Sequence, residues 1–138
     1  KPMIPHTAID PNVVVFSLFP GLQENIIRHV LDAPELRSIV MRSFGSGNAP
    51  KKPWLTRILQ QASRRGVTIV NISQCLAGKV EMTRYDTGYR LKSTGVISGF
   101  DSTVECAVTK LMCLQGNFTD NKIVRNYMSR SICGEITI

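Results

Sequence analysis

The chain has 138 residues, 43% of them hydrophobic and 20% charged, which suits one soluble globular domain. At this length folding buries roughly 68% of the unfolded chain's surface, so one sizeable core suffices. No apolar stretch approaches the ~20 residues of a membrane span, so no membrane role is expected. The net charge of +7 and pI near 9.6 raise the question of nucleic acid. Lys51-Lys52 and Arg64-Arg65 are the basic pairs, set at the two ends of one predicted helix without interleaved aromatic residues, so a solvated helix surface explains them better. The chain opens on Lys1 rather than methionine, which reads as an excised domain.

Residues 1 to 11, with Pro2, Pro5 and Pro11, read as an entering linker, and 12 to 138 as a single domain. Val13 to Phe16 is a β-rich run closed by Pro20-Gly21, and a helix with Leu22, Ile26, Ile27, Val30 and Leu31 on one face follows. Leu36 to Met41 supplies a second strand. Trp54, Leu55, Ile58, Leu59 and Ala62 make a second helical stripe, opened by Pro50 or Pro53 and ended by Gly66.

A third strand runs from Val67 to Ile72, followed by a less regular segment from Gln74 to about Tyr85 and a short helix from Thr87 to Ser93. Gly95 to Asp101 is a short strand or turn. Ser102 is the expected cap of a helix carrying Val104, Ala107, Val108, Leu111 and Met112, and Thr119 caps a last helix whose stripe is Ile123, Val124, Tyr127 and Met128. Strands separated by helices point to an α/β fold: a small, mainly parallel β-sheet flanked by helices in three Rossmann-like layers.

The first strand-to-helix connection of interest is MRSFGSGNAP, from Met41 to Pro50. Arg42 offers a planar fork for a carboxylate, Gly45 and Gly47 permit close backbone approach, and Asn48 brings an amide. The next strand ends in Asn71, Ser73, Gln74 and Cys75. Two parallel strands ending in such side chains are expected to frame one crevice for a small anion. A tight turn needs glycine whether or not it binds anything, so packing alone accounts for the loop equally simply. A dinucleotide site is disfavoured, because Pro50 stands where a third glycine belongs and no acid lies about 20 residues on.

Other chemistry is poorly supported. Cys75, Cys106, Cys113 and Cys133 lack zinc-site spacing, so no metal or cofactor is implied, and Cys106 and Cys113 read as small buried core residues. The sequons at Asn71 and Asn117 read as accidental. Asp86-Thr87-Gly88 matches the aspartic-protease tripeptide, but occurs once and runs into a helical segment, so Asp86 is better read as a helix cap. No G-x-S-x-G elbow is present, and His29 falls on the first helix without a motif around it.

MRSFGSGNAP, VTIVNISQCLAGKV and YDTGYRLKSTGVISGFDSTVECAVTKL, in that order, cover nearly the whole chain, and together resemble the C-terminal domain of a bacterial cytoplasmic, type I L-asparaginase. The resemblance implies the smaller domain of an enzyme that hydrolyses L-asparagine to aspartate and ammonia. Its catalytic threonine, second threonine with aspartate, and lysine belong to the N-terminal domain, and TGGT-like and GTDT-like segments are not in this sequence. The family also implies an allosteric L-asparagine site, matched here by Arg42, Asn48, Asn71 and Cys75, with Ser73 where threonine is usual. A cytoplasmic homo-oligomer, partnered with its own N-terminal domain, completes that expectation. The alternatives are a stand-alone small-anion or nucleotide-binding module, and the asparaginase-like subunit of a tRNA-dependent amidotransferase.

Overall fold

Runs rich in β-branched residues pair side by side in the computed structural model, which describes residues 2–82 and 86–138. The elements are β1 (Val13–Ser17), α1 (Glu24–Leu31), β2 (Ser38–Ser43), α2 (Pro53–Arg64), β3 (Thr68–Ser73), α3 (Asp86–Ser93), β4 (Ile97–Ser98), α4 (Val104–Asn117) and α5 (Asn121–Met128). The four strands are parallel and lie in chain order, β1-β2-β3-β4, with Val14 opposite Ile39, Ile39 opposite Ile69, and Val70 opposite Ile97.

That order dictates the layers. Each crossover steps the same way, and right-handed connections therefore send every linking helix to one face. Ile27 and Leu31 of α1, Leu55 and Leu59 of α2 and Leu91 of α3 pack there on Ile39, Met41 and Ile69. The opposite face is left for whatever follows β4. Ala107, Leu111 and Leu114 of α4, with Val124 and Met128 of α5, cover Val40, Val70 and Ile72. Burial on both faces is why β2 and β3 read as continuous apolar runs rather than alternating ones, and Ile39, Val40, Met41, Ile69 and Val70 are all 0% exposed.

Residues 2–12 contain no helix or strand, yet this segment lies along α4. The Asp10 amide donates to the Met112 carbonyl at 3.1 Å, Asn117 Nδ2 to the Ala8 carbonyl at 2.9 Å, and Gln115 Nε2 to the Asp10 carbonyl at 2.8 Å. Gly116 lets the strap in, since a Cβ there would lie 2.7 Å from the Ala8 oxygen. Arg37 ties the same end of the sheet together, donating to Asp10 at 3.2 Å and to the Gln115 carbonyl at 2.7 Å.

Several local expectations are corrected. The second strand starts at Ser38, not Leu36. Of the two prolines expected to open α2, Pro53 is the one that does. Thr103 rather than Ser102 caps α4, its hydroxyl accepting from the Cys106 amide at 3.2 Å, and Asp120 rather than Thr119 caps α5, accepting from the Lys122 amide at 2.8 Å. In each case the residue one step later holds the extended φ/ψ that a cap needs. The stripe on α5 is narrower than expected: Val124 and Met128 are buried, while Ile123 and Tyr127 stay 39% and 37% exposed. Cys106 and Cys113 are half-buried, because their row on α4 lies beside the inward Ala107, Leu111 and Leu114 row. Asp86 is the first residue of α3 and pairs with Arg90 Nε at 3.6 Å on an exposed surface. Tyr85, where the irregular segment was expected to end, lies outside the described residues.

Candidate functional site

The C-terminal ends of β2 and β3 carry the polar residues. Beyond Ser43 the chain folds into a closed loop in which the Phe44 amide donates to the Asn48 carbonyl at 2.8 Å and the Asn48 amide donates back to Phe44 at 2.8 Å. Gly47, at φ +108°, holds a conformation that L side chains rarely adopt. A Cβ there would also meet Val80 Cγ1 at 2.8 Å and Asn71 Nδ2 at 3.3 Å.

Two side chains of β3 brace this loop. Asn71, fully buried, donates through Nδ2 to the Gly47 carbonyl at 3.2 Å, and Ser73 Oγ donates to the Gly45 carbonyl at 2.6 Å. Ser73 Oγ also accepts from the Cys75 amide at 3.0 Å. The other amide atom of Asn71, Oδ1, is buried without a hydrogen-bond partner. Asn48 sits half-buried at the end of the loop and Cys75 is exposed beyond it.

Arg42 is arranged differently. Its carbonyl is held twice, by the Leu18 amide at 2.9 Å and by Gln74 Nε2 at 3.0 Å, so its backbone is fixed. Its half-buried guanidinium makes a long contact to Ser17 Oγ at 3.5 Å, and Nε is buried with no partner. Among the described residues no carboxylate forms an ion pair with it. Gln74 was expected at the strand end that frames the crevice, without a ligand role of its own. It also donates to the Leu18 carbonyl at 2.7 Å and so clamps the ends of all three long strands. The signal available for it in the sequence was its place one residue beyond a β-branched strand.

The expectation of one crevice needs refinement. Side chains alternate along a strand. Arg42 therefore shares the face of Val40, under α4 and α5, whereas Asn71 shares the face of Ile69, under α2. Arg42, Asn48, Asn71, Ser73 and Cys75 gather at one sheet edge, but Arg42 and Asn71 leave it on opposite sides. A ligand touching both must straddle the edge itself. The sequon at Asn71 belongs to the loop brace, since its side chain is enclosed.

The family model for the glutaminase/asparaginase C-terminal domain matches residues 12–128. L-asparaginase 1 of Escherichia coli K12 is 38% identical over 98% of this chain, which spans 40% of that protein. The human 60 kDa lysophospholipase is 38% identical over 98% of the chain and 23% of its own length. A glutamyl-tRNA(Gln) amidotransferase subunit of Methanobrevibacter smithii is 35% identical over 94% of the chain and 29% of its own length. The crystal structure of L-asparaginase I from Vibrio cholerae superposes with a TM-score of 0.90 at 39% identity, over 96% of this chain and 40% of that one. With the parallel sheet, the glycine loop and the braced strand ends in place, the chain belongs to the glutaminase/asparaginase C-terminal domain family.

Proposed function

We propose that this chain is the C-terminal domain of an L-asparaginase, in which it contributes an effector site for L-asparagine and contacts between subunits of a cytoplasmic homo-oligomer. The observation that carries the effector reading is the Arg42 guanidinium, whose buried Nε lacks a partner and which no described carboxylate neutralises. Such a cation is suited to an amino-acid carboxylate, taken as a charge-assisted, two-pronged hydrogen bond. Across the edge, Asn71 Oδ1 is an unmatched acceptor enclosed behind the glycine loop, which would meet an ammonium or amide donor once that loop opens. Carboxylate on one side and donor on the other is the charge pattern of a zwitterionic amino acid.

Cleavage of the amide belongs, in this reading, to the larger domain that relatives carry in addition. The groups assigned to this chain bind and position; none is an activated nucleophile with its base. The test is ammonia release by the parent protein as L-asparagine is varied. A sigmoidal response supports both parts of the proposal, a hyperbolic one keeps the asparaginase and removes the effector site, and no release removes the asparaginase reading.

The amidotransferase alternative has the Methanobrevibacter smithii relative in its favour, at somewhat lower identity than the asparaginase. Dependence of the parent's reaction on aminoacylated tRNA would favour it.

A further inference from the structure

Along β4, the strand at the opposite side of the sheet from β1, lies an open cavity of about 630 Å³, lined by residues before, within and after that strand. Its size falls in the usual range for small-molecule sites. Among the described residues three cations line it, Lys79, Lys92 and Arg125, against one carboxylate, Glu81. Arg125 is half-buried and donates to the Gly95 carbonyl at 2.6 Å, and among the described residues no acid forms an ion pair with it. Burial alone pushes its pKa down, so its charge is desolvated without a counterion. Lys92 is exposed and also forms no ion pair with a described acid, whereas Lys79 is shared with the field of Asp101 outside the cavity. Val80, Met82, Val96, Ile97 and Phe100 give the wall its apolar part, and Ser98 and Ser129 complete it.

Phe100 adds an independent sign. It takes the left-handed φ of 56°, which a bulky side chain adopts only when its surroundings enforce it. A short cycle of hydrogen bonds does so: the Phe100 amide donates to Ser98 Oγ at 3.0 Å, Ser98 Oγ to the Val80 carbonyl at 3.1 Å, and the Val80 amide to the Phe100 carbonyl at 3.0 Å. The strained turn sits in the wall of the cavity beside the cations.

We propose that this cavity binds an organic phosphate monoester, its dianionic head between Arg125 and Lys92 and its apolar or aromatic body against Val96, Ile97 and Phe100. A dianion matches the surplus of cations over Glu81, and the volume exceeds what inorganic phosphate alone fills. The site shares no residue with the Arg42, Asn48, Asn71, Ser73 and Cys75 set and does not rest on the effector reading.

The experiment is a titration of this chain with phenyl phosphate, inorganic phosphate and phenol, followed through backbone amide shifts. Phenyl phosphate is expected to bind saturably, more tightly than either fragment, and to move the amides of Ser98, Phe100 and Arg125. Lys92→Gln should weaken it about threefold or more, as expected for one screened charge, and Arg125→Gln about tenfold or more, as expected for a charge-assisted hydrogen bond. Arg125 also anchors Gly95, so if Arg125→Gln does not fold, Lys92→Gln decides. No saturation by phenyl phosphate, equal binding of phenol, shifts centred elsewhere, or unchanged affinity in Lys92→Gln would each overturn the proposal.

Discussion

Asn71 Nδ2 donates to the Gly47 carbonyl at 3.2 Å, and the Cβ that Gly47 lacks would sit 3.3 Å from that same nitrogen. The end of β3 and the glycine loop after β2 are thus fitted to one another through a single side chain. The position of the loop, and with it Asn48 at its end, follows from a buried amide on the neighbouring strand.

Gly47→Ala is expected to destabilise the fold by about 1–3 kcal/mol, because a positive φ and a 2.8 Å approach to Val80 Cγ1 act together. Denaturant unfolding of the variant checks this. Gly45→Ala, where open space surrounds the added carbon, should cost less despite its positive φ. Equal losses at the two positions would mean that close packing between loop and Val80 is not what fixes Gly47.

Asn71→Leu removes the donor to Gly47 and also the buried, unpaired Oδ1. Removing a partner from a buried carbonyl costs about 1–3 kcal/mol, while losing the orphan acceptor returns part of that. A net loss of about 1 kcal/mol or more is expected, together with faster amide exchange at Gly45 to Asn48. Unchanged exchange there would show that Asn71 does not brace the loop.

The C-terminal tail is pinned to α4 by Glu135, whose side chain is only 10% exposed and pairs with Lys110 while accepting from the amides of Ile132 and Cys133 at 2.9 Å and 2.8 Å. Burial pushes its carboxyl up, but the Lys110 contact and the amides outweigh that and hold it far below the ordinary range. A depressed folded-state pKa gives stability that is complete above the unfolded value and is lost as pH falls. The melting temperature should therefore drop between about pH 5 and pH 2 more steeply in the native sequence than in Glu135→Gln. Parallel curves would remove Glu135 from the acid response. The same carboxylate accepts from the Cys133 thiol and raises its pKa, so Cys133 should alkylate slowly at neutral pH and faster in Glu135→Gln.

Much of the fold was legible because both strand faces are buried. Runs such as Ile39-Val40-Met41 and Thr68-Ile69-Val70 announce central parallel strands, and the helical stripe ending at Gly66 marks α2 cleanly, with Gly66 in the left-handed conformation just past the cap. The caps at Thr103 and Asp120 were misplaced by one residue, since Ser102-Thr103 and Thr119-Asp120 each offer two competent side chains and composition does not choose between them. The wide stripes expected on α1 and α5 were narrowed by packing: Ile26 stays 59% exposed, and Ile123 and Tyr127, the latter stacked on Phe118, are covered only in part. The residues proposed for the site lie, as expected, at or just beyond the C-terminal ends of β2 and β3. What the sequence could not carry was the face on which each emerges, because a shift of one residue in strand register reverses it.

Exposed apolar side chains remain, among them Phe19 at 52%, Ile26 at 59% and Leu76 at 105% relative exposure. In the parent homo-oligomer that we propose, such surface is expected to be covered by the larger domain or a neighbouring protomer. Light scattering of the parent should give a multiple of the protomer mass; a monomer at high concentration would contradict the assembly. The chain alone should release no ammonia from L-asparagine above buffer background, and release that survives further purification would overturn the assignment of catalysis to another domain.

Arg42→Ala in the parent protein is the most direct measurement. Loss of a charge-assisted hydrogen bond to the effector carboxylate should weaken L-asparagine binding at this site about 10- to 150-fold, which is as large as typical allosteric coupling. The Hill coefficient should fall to about one while the saturated rate and the melting temperature stay nearly unchanged, and Arg42→Lys should fall short of full rescue because a point charge lacks the planar fork. A lowered melting temperature with an unchanged Hill coefficient would make Arg42 a structural residue and contradict the effector site.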